Sequence, residues 1–224
     1  MLTAGVTPGY SKPIANFSRL WHMCSLLRDV RYDSRLQQLT TLPIGEYSKL
    51  QTNRLVPTII DRRLTAAQPS VALGEGRQLD ITVVFALPGK ATAATQLGIA
   101  VLVAADLSHR TDIYLSPAEG SSWALTVNTS ISGDVPGHAN SFPTATQRFS
   151  VLPHETTLSL RVVLDRSIVE AFAQQGRAVV TATPFAPANA SAAMAWVRGG
   201  GTGGVVLERA ESFGMGCAWQ ENEE

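Results

Sequence analysis

The stretch "LRVVLDRSIVEAFAQQGRAVVTATPF", residues 160–185, sets two carboxylates, Asp165 and Glu170, among arginines inside an apolar, strand-like run. Charges in such a run are costly to bury unless paired, so their placement has a chemical or an architectural reason. On one straight strand, residues five apart point to opposite faces and lie about 16 Å apart, too far for joint acid/base work. If Asp165-Arg166-Ser167 instead makes a tight turn, the flanking segments form a hairpin. Asp165 or Ser167 then caps backbone amides through its side-chain oxygen, and Glu170 lies on the return strand, with Arg166 and Arg177 as its candidate partners. A charge-paired hairpin satisfies every one of these residues without a substrate, and it is the favoured reading.

Period-two alternation extends from this hairpin in both directions. In "LDITVVFAL" (79–87) Leu79, Ile81, Val83, Phe85 and Leu87 alternate with Asp80, Thr82, Val84 and Ala86, which predicts a strand with one face in a core. "LGIAVLVAA" (97–105) is apolar on both faces and predicts deeper burial. Further strands are expected at 111–116, 122–128, 157–164, 168–173, 178–183, 192–198 and 204–212. Gly, Pro, Ser and Asn separate most of them, and no long amphipathic helix is visible. The expectation is an all-β fold: an antiparallel β-sandwich of two sheets, jelly-roll or concanavalin-like, over 71–219, with a polar tail at 220–224.

Residues 1–70 differ, being Arg-rich, with prolines at 8, 13, 43, 57 and 69 and no sustained alternation. They are expected to form an irregular linker arm whose ordered piece is a strand-like "RLQQLTTL" (35–42) followed by a helical turn in "GEYSKLQTNRL" (45–55).

Eighteen basic residues balance eighteen acidic ones, so net charge implies no nucleic acid and no anionic surface as partner. No run reaches the ~18 apolar residues of a membrane span, and "MLTAGVTPGYSKP" lacks the basic and apolar regions of a signal peptide. Cys24 and Cys217 lack neighbours at metal-ligand spacing; one long-loop disulfide and two buried thiols both remain open. Asn16, Asn128 and Asn189 head glycosylation sequons that matter only in a secreted protein.

No catalytic, cofactor or metal residue is expected from this chain alone. The four histidines, His22, His109, His138 and His154, adjoin no Gly-x-Ser-x-Gly elbow. The "GGGTGG" run (199–204) is followed by no Gly-Lys-Ser/Thr step and reads as a connection, not a phosphate cradle.

The opening stretch also resembles the signature hairpin of the C-terminal β-sandwich of glycoside hydrolase family 32, the invertases and fructan hydrolases. Its pattern, roughly V-D-x-S-x-V-E-x-F-x-x-x-G-R-x-x-x-T, is met by Asp165, Ser167, Val169, Glu170, Phe172, Gly176, Arg177 and Thr181. "SLLRDVRYDSRLQQLTTLPIGEYSKLQ" (25–51) resembles that family's linker, "LTVNTSISGD" (125–134) a later strand with Asn128 where Asp is usual, and "SFGMGCAW" (212–219) its closing strand. The resemblance implies that residues 1–70 are the remnant of a connection to a catalytic β-propeller, and that the parents are secreted or vacuolar. The family's Asn-Asp-Pro, Arg-Asp-Pro and Glu-Cys catalytic stretches do not occur here, and Arg28-Asp29-Val30 echoes the second only within the linker phrase. An accessory module, inactive alone, is therefore expected, its partner a propeller in cis or in trans.

Two other functions compete. A free carbohydrate-binding module would stack sucrose or fructan on Trp123, Trp196, Trp219, Tyr114 or Phe185, residues that could equally be core or interface. An interaction module would dock in trans on a separate propeller or self-associate.

Overall fold

The computed structural model describes residues 25–89, 91–133, 144–199, 201 and 203–216. Two antiparallel sheets face each other. The first has the order β10 (Thr144–Ser150), β9 (Ser122–Asn128), β8 (Thr111–Pro117), β7 (Gln96–Val103), β14 (Ala192–Arg198) and β5 (Ser70–Glu75). The second runs β13 (Ala178–Ala182), β12 (Ile168–Ala173), β11 (Thr157–Asp165), β6 (Gln78–Ala86), β15 (Val205–Met215) and β3 (Gln51–Arg54), with β4 (Ile59–Leu64) also on β15. This is the β-sandwich that the alternation predicts, and all nine expected strands are present.

Alternation decides the core. Leu79, Ile81, Val83 and Phe85 of β6 are fully buried against Ile99, Val101, Ile113 and Leu125 of the facing sheet, in one continuous apolar cluster. Burying side chains of this size contributes about 1.5–3 kcal/mol each. The apolar-on-both-faces β7 is buried from Leu97 to Val103, as expected of a strand flanked on both sides by β8 and β14.

The arm is more regular than its composition suggests. Residues 28–43 form a hairpin of β1 (Arg28–Asp33) and β2 (Gln38–Pro43), followed by a 3₁₀ segment at Gly45–Leu50. β3, β4 and β5 then pair with β15 and β14, so residues 51–75 already contribute strands to both sheets. Their alternation is masked because β4, "IIDRRL", exposes Ile60, Asp61, Arg62 and Arg63 in succession. β10, "TATQRFS", is unexpected for the same reason: an edge strand that buries only Phe149 carries almost no apolar period.

Candidate functional site

Asp165 pairs with Ile168 across a two-residue connection, Arg166-Ser167, so β11 and β12 form the hairpin read from sequence. Arg166 takes a left-handed φ of 53° there, and its amide donates to the Arg77 carbonyl at 2.6 Å. The exposed Asp165 accepts from the Gln78 side-chain amide at 3.1 Å. Val169 is wholly in the core.

Glu170 points the other way. It opposes Val163 and Thr181 on the outer face of the seven-stranded sheet, yet only 1% of its surface is exposed. The cover is the arm. Oε1 accepts from the Leu26 amide at 2.6 Å, and Oε2 accepts from Arg28 Nε at 3.2 Å and Nη2 at 2.5 Å. The same Nη2 donates to Thr181 Oγ1 at 2.8 Å, and the guanidinium lies 5.5 Å from the centroid of the buried Phe172 ring. Glu170 thus pairs with Arg28, in place of the expected Arg166 or Arg177. An arginine 142 residues away in sequence cannot be found from local spacing.

Gly176 completes the clasp. At φ +81° it occupies a backbone region that favours glycine, and a Cβ there would fall 2.1 Å from the Thr41 carbonyl oxygen. The missing side chain lets β2 close on the β12–β13 turn, where the Thr41 amide donates to the Gly176 carbonyl at 3.0 Å.

Arg177 is engaged elsewhere. It binds Glu155 through two nitrogens at 2.7 and 2.6 Å and the Ser150 carbonyl at 2.9 Å, joining the β12–β13 turn to the chain before β11. Burial alone would raise the Glu155 carboxyl, but the hydrogen bonds from Arg177 and the Leu152 amide outweigh it and hold the group below its ordinary value. A second buried carboxylate, Asp80, is gripped by Arg161 at 2.9 and 2.8 Å and by Gln51 Nε2 at 2.7 Å. Sequence reading passed over this pair because Asp80 sits in the polar phase of an alternating strand.

Glu170, Glu155 and Asp80 each accept three hydrogen bonds, two from an arginine and one from a backbone or side-chain amide, and so tie segments of the chain together. Among the described residues no group of three or more His, Cys, Asp or Glu is placed to hold a metal, and no helix is long and apolar enough to cross a membrane.

Beyond the clasp, the arm exposes apolar surface. Leu27, Val30, Tyr32, Leu39 and Leu42 are 69%, 53%, 65%, 64% and 36% accessible, and register places Tyr32 opposite Leu39.

Of the other residues singled out, Trp123 is core, whereas Trp196 and Tyr114 meet with ring centroids 5.9 Å apart. The Asn128 side chain accepts from the Ser130 amide at 2.9 Å within its own sequon, and Asn189 is exposed. Asn16, Cys24, Cys217 and Trp219 lie outside the described residues.

The family model described as "Glycosyl hydrolases family 32 C terminal" matches residues 46–212. The chain belongs to this family. A vacuolar acid β-fructofuranosidase 2 from a Rosa hybrid cultivar is 29% identical over 181 residues, covering 69% of this chain and 28% of that protein. Fructan 1-exohydrolase IIa from Cichorium intybus shares the fold with a TM-score of 0.70 at 19% identity, over 85% of this chain and 40% of that one. Exo-inulinase from Aspergillus awamori does so with a TM-score of 0.67 at 22% identity, over 86% of this chain and 35% of that one. The family 32 C-terminal chain spans less than half the length of each of these relatives.

Proposed function

We propose that the chain is the accessory β-sandwich of a glycoside hydrolase family 32 protein, inactive by itself, and that its arm docks on a catalytic β-propeller. The parent activity is hydrolysis of O-glycosyl bonds in sucrose or fructans. One observation carries the reading. The signature residues Glu170, Phe172, Gly176 and Thr181 all hold the arm, and the arm held there turns bulky apolar side chains to solvent. A lone two-stranded hairpin is marginal in water, and a hairpin carrying Val30, Tyr32 and Leu39 exposed gains only when something covers it.

The propeller reaches this surface either in cis, as part of a longer polypeptide, or in trans. The partial coverage of every relative named above supports the former. Two experiments test the reading. The purified chain is expected to release no hexose from sucrose or inulin, and stoichiometric hydrolysis would refute it. Reading the encoding nucleic acid upstream of Met1 in all frames is expected to reveal Asn-Asp-Pro, Arg-Asp-Pro and Glu-Cys stretches at propeller spacing. If none is found there, the cis arrangement fails and docking in trans remains to be tested by binding.

A further inference from the structure

The outer face of the six-stranded sheet carries a second feature, apart from the β1–β2 hairpin. Register across β14, β7 and β8 aligns Trp196, Gly98 and Tyr114 in one row and Met194, Ala100 and Asp112 in the next. Small residues on the central strand sink the floor between larger neighbours. Gly98 is required there: a Cβ would fall 2.3 Å from the Ile113 carbonyl oxygen and 2.7 Å from Tyr114 Cβ. The Trp196 ring is held from two directions, by Tyr114 at an interplanar angle of 56° and by the Arg198 guanidinium 5.6 Å from its centroid.

Beside this ring lies a cleft of about 580 Å³, lined by Ala100, Met194, Trp196, Arg110, Asp112 and Ser70 among others. That volume and mixture, an aromatic and apolar lining with a few placed polar groups, are those of a small-ligand site. Arg110 Nε donates to both Asp112 oxygens, at 3.1 and 3.0 Å. One N–H proton shared by two oxygens leaves the carboxylate with acceptor capacity, and of the guanidinium's four other N–H donors one reaches the Leu107 carbonyl at 3.5 Å. The Trp196 indole nitrogen is buried with no hydrogen-bond partner among the described residues.

The charges narrow the ligand. Arg110 is balanced by Asp112, and Arg198 is applied to an aromatic face, so among the described residues lining the cleft no uncommitted cation invites a phosphate. A platform beside an acceptor–donor pair suits a ring with an apolar C–H face and adjacent hydroxyls at its rim. We propose that this cleft binds a sugar ring of a neutral oligosaccharide, stacked on Trp196, with neighbouring hydroxyls donating to Asp112 and accepting from Arg110. Burial raises the Asp112 carboxyl above its usual value against the opposing pull of Arg110, which marks a partly desolvated polar group facing a space to fill.

The test uses the full chain with ¹³C-methyl-labelled methionine, titrated with 1-kestose, with sucrose, and separately with inorganic phosphate. The Met194 methyl signal, assigned by its loss in Met194→Leu, is expected to shift saturably with the sugars and not with phosphate. Trp196→Ala and Asp112→Asn are each expected to weaken binding at least tenfold, with circular dichroism confirming the fold. Where Trp196→Ala fails to fold, the Asp112→Asn titration decides. No sugar-dependent shift, an unchanged titration in Asp112→Asn, or an equal response to phosphate would overturn the proposal. The cleft involves no residue of the β1–β2 hairpin, so failure here leaves the docking reading intact.

Discussion

Arg28 and Glu170 form an ion pair at 2.5 Å across 142 residues of chain, with the carboxylate side chain 2% and the guanidinium side chain 23% accessible. Closing so long a loop carries an entropic cost that grows only slowly with length. The pair therefore needs only moderate energy to hold the arm, and its two-toothed geometry with Thr181 sets the arm's angle. Replacing Arg28 by Met leaves a buried carboxylate with only the Leu26 amide among these partners, a loss expected at about 3 kcal/mol, the low end for broken buried pairs because Arg28 is partly solvated. Urea unfolding checks it, and adding Glu170→Gln to Arg28→Met is expected to recover part of the loss.

Gly176→Ala introduces a side chain at positive φ and against the Thr41 carbonyl. Strain at that φ alone costs about 1–2 kcal/mol. Because the obstruction falls between β2 and the β12–β13 turn, the arm is expected to lift before the sandwich unfolds. Hydrogen exchange at the Thr41 amide, bonded to the Gly176 carbonyl, is expected to accelerate while exchange in β6 and β11 stays at the parent rate.

The Glu155–Arg177 pair gives a pH dependence of known sign. The folded Glu155 carboxyl titrates below its ordinary value of 4.5, so the unfolded chain takes up its proton first as pH falls. Its contribution is complete above that value and is lost as pH drops through the lower folded one. Glu155→Gln is expected to destabilise the protein by about 3 kcal/mol at neutral pH, since Arg177 is left buried, and to flatten the acid limb of stability against pH. An acid limb as steep as the parent's would contradict this.

The exposed hairpin predicts association in the absence of a propeller. Light scattering of the chain at increasing concentration is expected to show self-association that Tyr32→Asp with Leu39→Asp abolishes, while the melting temperature stays within about 2 °C of the parent, as for surface substitutions generally. A concentration-independent monomer would count against an unpartnered docking face.

Legibility from sequence followed burial. β6 and β11 could be read because each has one face in the core and one outside, which writes a period of two into "LDITVVFAL" and "TLSLRVVL". β1, β4 and β10 could not, because edge and arm strands bury too few side chains to leave a pattern. The hairpin around Asp165 was visible in its turn residues, but the partner of Glu170 was not, since nothing near it in sequence marks Arg28. The meeting of Trp196 with Tyr114 over Gly98 depends on register between three strands, and single-strand alternation does not specify register between partners.

The central claim is that the family signature around Glu170 is a clasp for the arm. Glu170→Gln, followed by thermal unfolding together with hydrogen exchange at Leu26 and Thr41, tests it most directly. The clasp predicts a melting temperature lower by about 5 °C, for a loss near 2 kcal/mol, and faster exchange at both amides. Parent-like melting and parent-like arm exchange, accompanied by loss of a sugar-dependent function, would contradict it.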